Sequence, residues 1–75
     1  MQRYADRSRR SGVVAYEILH DGIVVRFRDG EDYLYTDEAT GAEHVAEMKR
    51  LARQGRGLAT YINKHVRARY AKKLE

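Results

Sequence analysis

With 75 residues, no cysteine, no proline and a net charge of +4 at pH 7, the chain has room for a single domain. A domain of this size hides about 60% of its unfolded surface, so nearly every large apolar residue is needed inside. The absence of cysteine excludes a disulfide framework, a thiolate metal site and a thiol nucleophile, and no apolar run approaches the roughly 18 residues of a membrane span.

Charge is distributed unevenly. Residues 1–11 carry four arginines against Asp6, residues 12–47 carry nine acids against Arg26 and Arg28, and residues 48–75 carry nine bases against Glu75. A polyanion is therefore attracted to the tail and the C-terminal third and repelled by the middle.

Residues 1–11, MQRYADRSRRS, are polar and without periodicity and read as a disordered basic tail. They lack the apolar stretch of a secretory signal, and a soluble cytoplasmic protein is expected. The segments GVVAYEIL, GIVVRFRDG and EDYLYT then read as three strands, rich in β-branched and aromatic residues. Asp21-Gly22 and Asp29-Gly30 separate them and predict hairpin turns, hence an antiparallel meander. From about Ala39 the period turns helical: Val45, Met48, Leu51 and Ala52 form one stripe, while Glu43, Glu47 and Arg50 point away. Gly55 is a natural stop for this helix. After the GRG break, Leu58, Tyr61, Ile62 and His65 share a face with Val66 at its margin, predicting a second helix over about 58–70. Residues 12–73 form the domain, and residues 74–75 read as a cloning scar. The expected fold is α+β, a three-stranded antiparallel β-meander followed by two α-helices packed on one face (β-β-β-α-α).

Register decides where Tyr33 and Tyr35 point. A two-residue turn at Asp21-Gly22 places Ile18 opposite Val25, Tyr16 opposite Phe27 and Glu17 opposite Arg26. For the second hairpin, a two-residue turn at Asp29-Gly30 pairs Phe27 with Asp32 and turns both tyrosines outward beside Arg26, as a stacking platform. A three-residue turn over Asp29, Gly30 and Glu31 pairs Phe27 with Tyr33, Val25 with Tyr35 and Arg28 with Asp32, and turns them inward. The inward register is favoured because the other buries the Asp32 carboxylate beside Phe27. It leaves Leu19, Val24 and Leu34 as a small apolar patch on the outer face.

The strand IVVRF, the turn glycine Gly30, the aromatic pair in YLY and the closing YINKHVRARY resemble the KTSC domain, a short module named after the C-terminal region of some lysyl-tRNA synthetases. The resemblance runs from about residue 11 to 70 and rests on Tyr33, Tyr35, Asn63, His65 and Tyr70. Two departures are Leu34, where the family has a polar residue, and a longer RQGRGLAT loop. The resemblance implies association with RNA and, from the polar residue between the tyrosines, supports the inward register.

The residues themselves point to phosphate contact. Lys49, Arg50, Arg53, Arg56, Lys64 and Arg67 flank the helix junction, and a cation cluster of this kind holds phosphates with salt-sensitive affinity. Arg7, Arg9 and Arg10 add a sequence-independent grip. Gly55, Arg56 and Gly57 precede a helix start, where free N–H groups favour an anion, although capping and chain reversal account for these glycines equally well. The leading expectation is an RNA-binding accessory module for tRNA or another structured RNA. The alternative is a protein-interaction or self-associating module, a homodimer included, that uses Leu19, Val24 and Leu34. Base reading is not expected, because the inward register leaves no exposed aromatic array. His65 reads as a hydrogen-bonded core or rim residue. His20 lies in a turn and His44 on an early helical turn, so no histidine pair has metal-ligand spacing. Ser8 and Ser11 have no histidine base. Neither an enzyme nor a cofactor is expected.

Overall fold

The three segments richest in β-branched and aromatic residues form strands β2 (Val13–Leu19), β3 (Gly22–Phe27) and β4 (Asp32–Thr36). In the computed structural model, which describes residues 1–6 and 11–74, they are the centre of a five-stranded antiparallel sheet in the order β1-β2-β3-β4-β5. The protein is α+β, with more strands than the three expected. The added edges are β1 (Gln2–Arg3) and β5 (Lys72–Leu74). The helical part comprises α1 (Asp37–Thr40), α2 (Ala42–Gln54), α3 (Leu58–Tyr61) and a π-helical turn over Ile62–Val66.

Both added strands correct sequence expectations. Residues 2–3, assigned to a disordered tail, pair with Ala15 and Tyr16, because the next residue, Tyr4, is buried and its ring packs edge-on against Tyr16 at 6.5 Å. One large ring in the core anchors an otherwise polar segment. Leu74, read as part of a cloning scar, lies opposite Asp32 in β5. Arg7, Ser8, Arg9, Arg10 and Glu75 lie outside the described residues.

Both hairpins differ in register from expectation by two residues. In the first, Leu19 pairs with Gly22, so the turn residues are His20 and Asp21, and Tyr16 faces Val25. Gly22 is thus a strand residue, and its glycine identity has a different cause: a Cβ there would sit 2.5 Å from the Tyr35 carbonyl oxygen of β4. In the second, Val25 faces Tyr33, Ile23 faces Tyr35 and Arg26 faces Asp32. The turn runs over Arg28, Asp29 and Gly30, closed by Gly30 N–H to Phe27 carbonyl and Phe27 N–H to Glu31 carbonyl bonds, both 2.9 Å. A three-residue loop of this kind needs its left-handed residue last, and Gly30 has φ +93°. The loop therefore begins one residue earlier than expected. An even shift leaves every side chain on its expected face, so Tyr35 is in the core at 1% exposure and Asp32 lies outside, bidentate to Arg26 at 2.8 and 3.0 Å.

Val45, Met48, Leu51 and Ala52 of α2 bury the expected stripe against Ile23, Val25 and Tyr35. The helical region begins at Asp37, where the Thr36 hydroxyl caps the Ala39 N–H at 3.1 Å. It then breaks at Gly41 before α2. The second helix is shorter than expected. After Tyr61 it widens, the Arg67 N–H bonding the Ile62 carbonyl five residues back at 2.7 Å. Residues 67–71 then return to the sheet: the Thr40 hydroxyl donates to the Arg69 carbonyl at 2.6 Å and the Ala71 N–H to the Leu34 carbonyl at 2.7 Å.

Candidate nucleic-acid interface

The helices cover the middle of the sheet and leave its end, at the β3–β4 turn, open. There Phe27, Tyr33 and Tyr35 form a floor, Ile62, Asn63 and Arg67 of the π-helical segment form one wall, and Tyr70, on the way to β5, forms another. The cleft has a volume of about 460 Å³, with Arg28 and Asp29 of the turn at its rim. The rings meet edge to face: Phe27 and Tyr33 at 5.6 Å, Tyr33 and Tyr70 at 4.7 Å, Tyr35 and Tyr70 at 6.3 Å. Each contact places the positive edge of one ring against the negative face of another. Tyr35 is the buried member, and desolvation, then the neighbouring Tyr33 and Tyr70 hydroxyls, push its pKa up to about 12. Tyr33 is half-buried and Tyr70 is 37% exposed.

The inward register leaves no array of exposed rings on the sheet, yet Tyr70, with the half-buried Phe27 and Tyr33, gives the cleft an accessible aromatic surface. The tyrosines do point inward: Tyr35 is buried against the helices, but Tyr33, nearer the β3–β4 turn, is only half-buried at the open end. The wide turn at 62–66 is part of the reason. Its bond between residues five apart lays Arg67 over Ile62, so that Ile62, Asn63 and Arg67 all reach the same cleft.

The same extra residue per turn corrects the reading of His65. At α-helical spacing His65 shares the apolar face, but here Val66 takes the buried position and His65 is exposed. Its ring lies against Tyr61 at 4.5 Å and near His44 at 6.0 Å. The Tyr61 hydroxyl shares a 2.6 Å hydrogen bond with His44 Nδ1. Of the residues that carry the KTSC resemblance, Tyr33, Tyr35, Asn63 and Tyr70 line the cleft and His65 does not.

The six candidate phosphate-binding cations divide into two groups. Lys49 donates its ammonium to the Leu19 and His20 carbonyls at 2.8 and 3.3 Å, holding the first hairpin turn against α2. Arg50 donates to Glu47 at 2.9 Å and to Gln54 at 3.0 Å. The hydrogen bond from Arg50 holds the Glu47 carboxyl below its ordinary range and raises the guanidinium in turn. Arg53, Arg56, Lys64 and Arg67 are exposed, and none forms an ion pair among the described residues. Arg67 alone of the six reaches the cleft.

Gly55 and Gly57 both adopt left-handed backbone, ending α2 and opening α3. The Leu58 N–H at the start of α3 donates to the Tyr4 hydroxyl at 3.3 Å, so it is not open to an anion. The sequence reading missed Arg28 and Asp29 as rim residues. Arg28 donates to the Ser11 carbonyl at 2.8 Å, and Asp29 accepts the Glu31 N–H at 2.9 Å. The local signal was their place in a glycine turn beside an aromatic pair.

On the outer face, Val24 is 7% exposed, and Leu19 and Leu34 are half-buried among their sheet neighbours. The apolar patch expected there is therefore smaller than the sequence suggests. No helix among the described residues is long and apolar enough to cross a membrane. Comparison with family models, with curated proteins and with solved structures finds no match to this chain.

Proposed function

We propose that the protein is an RNA-interacting accessory module that holds phosphates through Arg53, Arg56, Lys64 and Arg67 and performs no chemistry. One observation carries this reading: these four cations remain exposed and without an ion pair among the described residues, while Lys49 and Arg50 are occupied by groups of the protein itself. An unoccupied cation offers a phosphate its full charge, and each contact made releases a counterion from the RNA. The resemblance to the KTSC domain supports the same reading, with tRNA or another structured RNA as the target class. The alternative of a protein-binding or self-associating outer face has weaker support, because Val24 at the centre of that patch is already buried.

The test is titration of labelled tRNA, or of a mixed RNA pool, at two salt concentrations. Binding at low salt must weaken as salt rises, and the double substitution Arg53→Glu with Arg56→Glu must abolish it. Absence of binding at low salt sinks the reading.

A further inference from the structure

The phosphate contacts leave the ring-floored cleft without a role. We propose that this cleft holds an unpaired nucleotide, with the base against Tyr33 and Tyr70, its edge at Asn63 and its phosphate at Arg67. The inference rests on the RNA reading above and names the part of the RNA that the module selects.

Tyr70 and Met1 are the large apolar side chains left exposed among the described residues. Tyr70 is not a loose surface ring, since edge-to-face contacts with Tyr33 and Tyr35 fix its position before any ligand arrives. A preset aromatic surface in an open cleft suits a flat π-system. In RNA, only a base outside a duplex has a free face to offer one.

The polar groups fit the remainder of a nucleotide. The Asn63 amide presents both a donor and an acceptor to a base edge. Arg67 carries a guanidinium with no acceptor among the described residues, and the π-helical turn holds its backbone over Ile62. At the opposite rim, Arg28 is tied to the Ser11 carbonyl at 2.8 Å and ion-paired with Asp6 at 3.8 Å, and Asp29 adds a further carboxylate to the rim. No surplus positive charge is left there, so the phosphate belongs at the Arg67 side. A volume of about 460 Å³ lies within the usual range for small-ligand clefts, about 300–1,000 Å³.

The full chain is titrated with uridine 5′-monophosphate, uridine and inorganic phosphate, read by tyrosine fluorescence and by amide shifts of Tyr33, Asn63 and Tyr70. The monophosphate is expected to give saturable shifts at these three residues, with uridine weaker and inorganic phosphate without effect. Tyr70→Ala is expected to weaken monophosphate binding about tenfold, while Tyr70→Phe retains it. Arg67→Glu is expected to weaken the monophosphate and leave uridine unchanged, which reports on the cleft without removing a ring. Equal shifts from inorganic phosphate alone, or wild-type affinity in Tyr70→Ala, overturn the proposal. Should single-stranded oligouridylate bind in a salt-dependent way that Arg53→Glu with Arg56→Glu abolishes and Tyr70→Ala leaves intact, the cleft proposal falls and the phosphate reading stands. Should the monophosphate fill the cleft as described while no RNA binds at low salt, the RNA reading falls and the cleft stands as a site for a free nucleotide only.

Discussion

The backbone N–H of Leu58 donates to the hydroxyl of Tyr4 at 3.3 Å, joining two residues 54 apart in sequence. The bond gives the first N–H of α3 a partner in place of water, and it makes the N-terminal segment part of the core. Burial pushes the Tyr4 hydroxyl pKa up, the Leu58 N–H pulls it partly back, and Asp6 adds to the rise. Tyr4→Phe keeps the ring and leaves a buried N–H without its acceptor, an expected cost of about 1–2 kcal/mol. Tyr4→Ala also empties the ring's place, at an expected cost of about 3–5 kcal/mol. Urea unfolding of the two variants separates the hydrogen bond from the packing.

Gly22 faces the β4 backbone so closely that any side chain meets the Tyr35 carbonyl. Gly22→Ala is expected to destabilise the fold by about 1–3 kcal/mol through overpacking. Were Gly22 a turn residue, alanine would cost less and the loss would be relieved by Asp21→Gly. Thermal melts of the single and double variants check this, with no rescue expected.

Stability should also fall at alkaline pH because of Tyr35. Its folded pKa of about 12 lies above the unfolded value of about 10. Between those values the unfolded chain releases the proton and the folded chain keeps it, so unfolding gains free energy as pH rises. The contribution is fully present below about pH 10 and lost as pH rises to about 12, amounting to at most about 3 kcal/mol. Urea midpoints measured at several pH values across that window check it, with Tyr35→Phe expected to flatten the fall.

Thr40 is fully buried and donates its hydroxyl to the Arg69 carbonyl. Thr40→Val keeps the shape and removes the donor, at an expected cost of about 1–2 kcal/mol. Residues 67–71 should loosen with it. Amide exchange at Ala71, whose N–H bonds the Leu34 carbonyl, is expected to speed up well before exchange in the centre of β3.

Much of the architecture was legible from residue patterns. Val45, Met48, Leu51 and Ala52 announced α2 by their spacing, and the cost of burying Asp32 turned Tyr33 and Tyr35 inward. The registers were missed because Gly22 and Gly30 carry two kinds of constraint: one is needed for close strand approach and the other for positive φ, and glycine looks the same in both. The edge strands were missed because Gln2, Arg3, Lys72 and Lys73 have no strand-like pattern, and their pairing follows from distant partners such as Tyr16 and Leu34. At the site, Tyr33, Tyr35, Asn63 and Tyr70 were singled out individually. Their convergence depends on the wide turn at 62–66, a local deviation that helical periodicity does not contain.

Because β1 and β5 are the short outermost strands, each shields a longer neighbour's backbone from the surroundings. Trimming either would bare a row of amide and carbonyl groups on β2 or β4, inviting another molecule's strand to dock in its place. Five residues of unremarkable composition thus act as bumpers against self-templated polymerisation, which tags or fusions joined at those ends must leave undisturbed.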